Sequence, residues 1–231
     1  MRLFAAVWPP TDVLDHLDLA LGAVRRTVPA DGTGPVRWSA RETWHLTCAF
    51  YGDVPDGRVP ELAVALGAVA ASRPPYRLRL RGAGVFSHRT LWVGVGGDTA
   101  AQLALARGAV VAGEPAGSRP DDRPRERAHL TIGRVRDAGG RRGWGGRTAG
   151  GPGSRQGGAR GGGGRDPGLV GPPRARTGAA PFDPHALVGA LAVYEGPEWT
   201  VDALLLVASR PGEGRGGGPL YTTVDAFPLA G

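Results

Sequence analysis

The tripeptide His-Leu-Thr occurs twice in this chain, as His45-Leu46-Thr47 and as His129-Leu130-Thr131, 84 residues apart. Each copy lies in an apolar segment with strand character, and each follows a helical segment and a linker. The chain has only five histidines in 231 residues, so chance explains this repeat poorly. The repeat predicts an internal duplication and a pseudo-symmetric fold whose two HLT strands lie side by side.

Each copy is suited to acid–base chemistry on a phosphate. Residues i and i+2 of a strand share a face, so each HLT presents an imidazole and a hydroxyl together, while its leucine points to the other face. Two imidazoles that flank one phosphorus can divide the proton transfers: the neutral one accepts a proton from the attacking oxygen, and the charged one donates a proton to the leaving oxygen. The threonine hydroxyls can donate hydrogen bonds to non-bridging oxygens. A single histidine on a half-buried strand is more often structural, so the repetition carries the functional interpretation.

Hydrophobic periodicity predicts alternating strands and helices, a fold of the α+β class. Strands are expected at 2–8, 36–40, 43–51, 76–86, 90–97, 127–136, 199–209 and 220–229. Helices are expected at 13–26, 61–72, 100–112 and 184–196. The two strands within 76–97 should form a hairpin about Ser87-His88-Arg89. In the first of them the alternation turns Tyr76, Leu78 and Leu80 to the core and Arg77, Arg79 and Arg81 to water.

Residues 139–180 interrupt this alternation with 17 glycines, eight arginines and one acid, Asp166. The whole formal excess of +7 therefore belongs to this segment, and the rest of the chain is about neutral. Such a composition buries too little apolar surface to offset the entropy lost on ordering. We expect a disordered Gly/Arg-rich insertion within a single bilobal domain that spans 1–231. An arginine- and glycine-rich arm that touches RNA is the alternative.

The rest of the composition indicates which compartment and which cofactors to expect for the protein. The chain has no uninterrupted apolar run of roughly 18 residues, so we expect no membrane span. The N-terminus lacks the pattern of a signal peptide, and the lone Cys48 fits a reducing compartment. No carboxylate cluster and no Cys/His spacing suggests a metal site. We therefore expect a cytoplasmic monomer with no metal and no other cofactor.

The two HLT motifs, with AFYG at the end of the first strand and IGRVR at the end of the second, resemble those of the two-histidine (2H) phosphoesterases. Within that superfamily the resemblance is to the LigT-like RNA 2′,3′-cyclic phosphodiesterases, also called 2′–5′ RNA ligases. The opening MRLFAAVWPP and the C-terminal YEGPEWTVDALLLVAS are similar to the corresponding parts of this family. The resemblance covers most of the chain outside 139–180.

The resemblance implies a bilobal fold in which antiparallel sheets line a central groove and helices lie outside. It also implies metal-independent hydrolysis of RNA 2′,3′-cyclic phosphate ends to 2′-phosphomonoesters. His45 would be the proton donor and His129 the proton acceptor. The residues expected to bind the substrate are Thr47, Thr131, Arg134 and Phe50.

Two other functions stay open at this point. A non-catalytic module could bind RNA ends or nucleotides, and a two-histidine phosphoesterase could act on a small cyclic nucleotide. In each case the expected partners are RNA with 2′,3′-cyclic phosphate ends or cyclic nucleotides. No membrane partner is expected.

Overall fold

Nine antiparallel strands form one sheet, the largest element of the described structure. The computed structural model describes residues 1–26, 34–115, 117, 127–136 and 182–231. The strands in these ranges are β1 (Arg2–Val7), β2 (Val36–Trp38), β3 (Leu46–Asp53), β4 (Tyr76–Phe86), β5 (Thr90–Gly97), β6 (His129–Val135), β7 (Glu195–Val201), β8 (Ala203–Arg210) and β9 (Leu220–Pro228). The helices are α1 (Thr11–Arg25), α2 (Val59–Ala71), α3 (Thr99–Ala112) and α4 (Pro184–Gly189), and none of them is long and apolar enough to cross a membrane. The expected α+β class is confirmed.

The sheet consists of two halves, and each half contains one HLT motif. The strand order is β7-β4-β5-β6-β3-β1-β8-β9, with β2 paired to β6. The halves meet where β3 and β6 pair antiparallel, with Leu46 opposite Leu130. A strand and a helix precede the motif in each half: β1 and α1 precede β3, with the short β2 between, and β5 and α3 precede β6. The expected pseudo-symmetric arrangement is confirmed, with the two halves joined into one continuous sheet.

A row of buried aliphatic side chains crosses the seam between the halves. Val7, Leu46, Leu130 and Val93 are neighbours on β1, β3, β6 and β5, and each is at most 1% exposed. They lie on the face of the sheet against which the helices pack. Because successive strand residues alternate between the faces, the residues on either side of each of these four point to the opposite, open face.

The first HLT motif enters its strand later than predicted. The strand expected at 43–51 is wrong at its start, because Arg41–Thr43 form a 3₁₀ turn and β3 spans Leu46–Asp53. The hydroxyl of Thr43 closes this turn by donating to a backbone carbonyl three residues earlier, at 2.6 Å. His45 therefore stands at the entry to β3, directly after the turn.

The C-terminal region departs most from the prediction. The helix expected at 184–196 ends at Gly189, and the strand expected at 199–209 is two strands, β7 and β8, that separate at Asp202. β7 pairs with β4 in one half of the sheet, and β8 pairs with β1 in the other. The reason is tertiary, because β7 forms a ladder with β4 from Tyr76–Val201 to Arg81–Glu195, which a local pattern does not specify. Exposed ion pairs accompany this ladder, Arg79–Glu195 at 2.6 Å and Arg77–Glu198 at 2.9 Å.

Two further expectations concern the hairpin and the glycine-rich segment. The hairpin of β4 and β5 is confirmed, and its turn holds Ser87 and His88 at positive φ, 48° and 55°. The insertion expected at 139–180 lies outside the described residues. The strands that flank it in sequence, β6 and β7, belong to the same sheet.

The buried seam should dominate stability. We expect Leu130→Ala to lower the free energy of unfolding by about 2–5 kcal/mol, because it removes buried methyl groups at a site that cannot collapse freely. The matched control is Leu19→Ala, since Leu19 is 80% exposed on α1. That variant should change stability by less than about 0.5 kcal/mol. Urea unfolding of the two variants checks this, and equal losses would contradict the central position of the seam.

Candidate active site

The two HLT motifs are direct neighbours in the sheet. With Leu46 opposite Leu130 in an antiparallel pair, His45 lies opposite Thr131, and Thr47 lies opposite His129. The four polar side chains therefore share the open face of the sheet, and each is partly exposed. The two histidines occupy diagonal positions of the pair, and residues in such positions typically lie roughly 7–8 Å apart. That spacing leaves room for a phosphoryl group between two imidazoles.

The same backbone contact orients both imidazoles. Nδ1 of His45 lies 2.7 Å from the carbonyl oxygen of Thr43, and Nδ1 of His129 lies 3.1 Å from that of Arg127. A carbonyl oxygen can only accept, so each Nδ1 carries a proton and Nε2 is the nitrogen that exchanges protons. Nε2 of His45 is 3.0 Å from Oγ1 of Thr47 within the same motif. The duplication thus extends to the tautomer of the two rings.

A β-bulge in each HLT strand brings the residue five positions after the histidine onto the open face. In a regular strand, residues five apart point to opposite faces. The pairing of β3 with β1 skips Cys48, and the pairing of β6 with β5 skips Ile132. The extra residue returns Phe50 and Arg134 to the face that holds the histidines. Because β3 and β6 are antiparallel, these two side chains lie toward opposite ends of the groove that this face forms.

Each of the two end residues has a defined neighbour. Phe50 is 36% exposed, and the guanidinium of Arg2 lies 4.9 Å from the centre of its ring. Arg134 is exposed and acts electrostatically on Tyr221 of β9. Burial raises the pKa of the Tyr221 phenol, and the positive charge of Arg134 lowers it in part. Every site residue expected from the sequence therefore lies on one face, with the two HLT motifs at its centre.

Aromatic rings surround His45 on the β1 side. The ring of Trp8 stacks on the imidazole with centroids 4.8 Å apart and planes 25° apart. The rings of Phe4 and Tyr221 lie 4.9 Å and 5.4 Å from the same imidazole. The face of the Trp8 ring lies against the imidazole, the geometry in which an aromatic ring can stabilise a cation. This enclosure also limits how far the imidazole can rotate.

Two rows of side chains cross the groove, and they differ in size. The indole row consists of Trp8, His45, Thr131 and Trp92. Trp8 follows β1 and stacks on His45, which precedes β3; the register of the Leu46–Leu130 pair sets Thr131 of β6 beside His45, and Trp92 of β5 pairs with Thr131. A bulky ring therefore stands at each end of this row. Gly84, opposite Trp92 on β4, leaves the space for its ring: a Cβ there would lie 2.3 Å from Cζ2 of Trp92.

The small-residue row runs parallel to the indole row and consists of Ala6, Thr47, His129 and Gly94. A cavity of about 370 Å³ adjoins this row, and Thr47, His129 and Gly94 all line it. Under the pseudo-symmetry Gly94 corresponds to Trp8. An indole stacks on His45, whereas His129 adjoins the cavity and has the rings of Phe86 and Trp92 edge-on to it, with centroids 4.9 Å and 6.4 Å away.

The sequence prediction missed several residues of this groove. Arg81 is exposed, as expected, but the sequence did not indicate that it lies opposite Gly94 and lines the cavity. Trp8 and Trp92 were expected only as strand residues. The repeat could have indicated both tryptophans, because each lies beside a strand that carries an HLT motif. Across the described part of the chain, no three His, Cys, Asp or Glu side chains converge as a metal site.

Comparison with known proteins finds a family that part of this chain resembles. Residues 7–92, which include the first HLT motif, match the model of the LigT-like phosphoesterases. The RNA 2′,3′-cyclic phosphodiesterase of Geobacillus stearothermophilus is 41% identical over 101 residues, which cover 42% of this chain and 32% of that protein. The match thus spans about a third of the length of this curated relative.

Solved structures match over the whole chain. TT0787 of Thermus thermophilus has a TM-score of 0.64 at 23% identity, with 100% of this chain and 99% of that chain covered. E. coli LigT complexed with 3′-AMP has a TM-score of 0.62 at 19% identity, with 100% and 98% covered. This is a LigT-like phosphoesterase fold. The expected resemblance to that family is confirmed, and so is the bilobal architecture that it implied.

The electrostatic effect of Arg134 on Tyr221 can be tested without any substrate. We expect Arg134→Ala to raise the pKa of the Tyr221 phenol further, because it removes the positive charge that favours the phenolate. Ultraviolet titration measures this, and Tyr221→Phe identifies the signal of this ring. Arg136→Ala, which removes an exposed arginine two residues further on, should leave that pKa unchanged.

The same phenol affects stability at high pH. Because its pKa is raised on folding, the folded state holds the proton more tightly than the unfolded state. This stabilisation is complete below about pH 10, the ordinary tyrosine value, and is lost as the pH rises above it. An unchanged Tyr221 pKa in Arg134→Ala would mean that the arginine points away from the groove.

Proposed function

We propose that this chain hydrolyses RNA 2′,3′-cyclic phosphate ends to 2′-phosphomonoesters, with His45 as general acid and His129 as general base. The observation that carries this proposal is the diagonal placement of two imidazoles in one antiparallel pair, each with a threonine opposite. No metal takes part in the proposed reaction. The phosphorus lies between the two rings, over the Leu46–Leu130 pair.

The proposed reaction is an in-line displacement. Nε2 of neutral His129 accepts a proton from water as the water oxygen forms a bond to phosphorus. The bond between phosphorus and the 3′ oxygen breaks on the far side, and protonated His45 donates its Nε2 proton to that oxygen. The product is a 2′-phosphomonoester with a free 3′ hydroxyl. Exchange of protons with solvent returns both imidazoles to their starting states.

The two histidines have surroundings that suit these separate roles. The indole of Trp8 stabilises the imidazolium that a proton donor requires at His45. His129 lies beside the cavity, where water can reach it. Two titratable groups whose environments differ in this way can divide acid and base work near neutral pH.

The remaining site residues bind the phosphate and a base. Thr47 and Thr131 donate hydrogen bonds to the non-bridging oxygens, one from each half of the groove. Arg134 lies at one end and offers a bidentate fork for the phosphate charge. Phe50 lies toward the other end and offers an apolar ring on which a base of the RNA can stack.

The comparisons support this proposal at the level of the family. The Geobacillus stearothermophilus relative is named an RNA 2′,3′-cyclic phosphodiesterase, and the family model covers the first HLT motif. E. coli LigT has been crystallised with 3′-AMP and with ATP, so a protein of this fold binds nucleotides. An RNA end that carries a cyclic phosphate is therefore the substrate we propose for this chain.

Removing either imidazole should abolish most of the activity. We expect His45→Ala and His129→Ala each to lower kcat for an oligonucleotide 2′,3′-cyclic phosphate by about 10²–10⁴, because each removes one general acid–base catalyst. The wild-type rate should pass through a maximum with pH, and each variant should lose one limb of that profile. Hydrolysis followed by chromatography, with EDTA throughout, measures the effect.

His185→Ala is the matched control, since His185 is exposed on α4 and outside the groove. It should keep the wild-type rate. Wild-type activity in both groove variants would remove the acid–base proposal, and loss of wild-type activity in EDTA would remove its metal independence.

The threonine hydroxyls should act on the phosphate. We expect Thr131→Val to lower kcat/KM by about 10- to 100-fold, because a hydrogen bond to a charged group is worth roughly 1.5–3 kcal/mol. Thr131→Ser keeps the hydroxyl and should retain most of the rate. Steady-state kinetics of the two variants compare them, and equal rates would show that the hydroxyl does not bind the phosphate.

A further inference from the structure

We propose that Arg37 binds the internucleotide phosphate on the 5′ side of the terminal nucleotide, so that this chain prefers the end of an RNA strand to a free cyclic mononucleotide. The inference rests on the proposed function, which puts the cyclic phosphate between His45 and His129. It adds a second phosphate site, one nucleotide away from the first. It also names the residue that distinguishes the two kinds of substrate.

Arg37 and Arg134 are direct neighbours on the open face of the sheet. β2 pairs antiparallel with β6, and this pairing puts Arg37 opposite Arg134. Val36 is buried in the core and Arg37 is exposed, so the side chain of Arg37 points to the open face. Side chains in directly opposite positions start about 4.5–5.5 Å apart at Cβ. Two guanidinium groups therefore lie side by side at this end of the groove.

The two arginines concentrate positive charge at this end. Across the part of the chain that the structure describes, none of the ion pairs includes Arg37 or Arg134. On β5, the neighbour of Arg134 is Thr90, which is uncharged. Like charges in directly opposite strand positions repel each other. A bound anion would offset this repulsion, so the pair is suited to phosphate groups.

Arg37 lies in line with His45 along one edge of β6. β5 occupies the other edge, so β3 and β2 pair with this edge one after the other, β3 at Leu130 and β2 further along. Thr131, which is opposite His45, and Arg134 are three residues apart on β6, which corresponds to about 10 Å at most. One nucleotide of RNA backbone can span this distance. A phosphate that precedes the reacting one can therefore reach Arg37.

The turn between β8 and β9 orients the guanidinium of Arg37. Nη2 of Arg37 donates a hydrogen bond to the carbonyl oxygen of Gly216, at 3.2 Å. Gly216 has a φ of 61°, a left-handed conformation that glycine adopts without strain. A guanidinium carries five N–H donors, so this bond leaves others for a phosphate. Because Arg37 is held in this way, less side-chain entropy is lost when the strand binds.

Three substrates isolate the internucleotide phosphate. Adenosine 2′,3′-cyclic phosphate lacks it, and the adenosine dinucleotide with a 2′,3′-cyclic phosphate end carries it. The third substrate is the same dinucleotide with an uncharged methylphosphonate linkage, which changes the charge alone. Arg37→Ala is compared with the matched control Arg107→Ala, which removes an exposed arginine from α3. Urea unfolding establishes that both variants fold.

We expect the wild type to have its highest kcat/KM on the charged dinucleotide. Arg37→Ala should lower that value by about three- to tenfold, the range between an exposed ion pair and a hydrogen bond to a charged group. The same variant should stay within about twofold of wild type on the other two substrates. Its rate on the charged dinucleotide should also fall less steeply with salt, by about 0.7 in the logarithmic slope, since one phosphate contact is lost. Arg107→Ala should match the wild type on all three.

The results separate this inference from the proposed function. Equal losses in Arg37→Ala on all three substrates would mean that Arg37 acts on the cyclic phosphate itself, and no loss on any of them would mean that it binds no phosphate. Either result would overturn the inference while hydrolysis itself stands. A loss on both dinucleotides alike would overturn it too, because the charge of the linkage would not matter.

If the wild type hydrolyses none of the three substrates, the proposed function fails and binding decides about Arg37. Calorimetry then compares adenosine 3′-monophosphate with the adenosine dinucleotide 3′-phosphate, which has the additional internucleotide phosphate. Weaker binding of the dinucleotide alone in Arg37→Ala would support the second phosphate site. Unchanged binding of both ligands, or an equal loss for both, would overturn it.

Discussion

The pairing of β3 with β6 is the interaction on which the groove depends. Its register places Leu46 against Leu130 in the core, and the residues on either side of these leucines then come together on the open face. A slip of one residue in either strand would turn the histidine of that strand into the core, because side chains alternate between the faces of a strand. A slip of two would move the two imidazoles out of reach of one phosphate. The flanking strands β1 and β5 protect this register by burying Val7 and Val93 beside the two leucines.

The two identical tripeptides pair with each other, but their histidines have different neighbouring side chains. His45 contacts three aromatic rings, one of which stacks on it, whereas His129 has only edge-on rings of Phe86 and Trp92 beside it and adjoins a cavity. The backbone is duplicated, and the neighbouring side chains are not. A symmetric groove would give both imidazoles the same proton affinity, which serves a reaction with one donor and one acceptor poorly. The difference between Trp8 and Gly94 is therefore as informative about function as the repetition itself.

Individual residues show which parts of the site could be predicted from the sequence and which could not. The face shared by His45 and Thr47 follows from strand alternation, and the repeat indicated that a second pair would join it. The inclusion of Phe50 and Arg134 came from family resemblance, and alternation alone would have placed them on the wrong face. The bulges at Cys48 and Ile132 that correct this depend on pairing with β1 and β5, which a local pattern does not specify. The separation of β7 from β8 at Asp202 was missed for the same reason.

Local patterns in the chain were enough to specify most strands and helices of the first 112 residues, the two HLT motifs and the expectation that they would meet. Periodicity of two or of 3.6 residues depends only on near neighbours in the chain, so it can be recognised without a fold. The register across the seam, the place of Arg81 in the groove and the open space beside His129 emerged only once the strands were assembled. Each of these depends on contacts between strands far apart in sequence, where the partner of a residue is chosen by packing and hydrogen bonding rather than by its own neighbours.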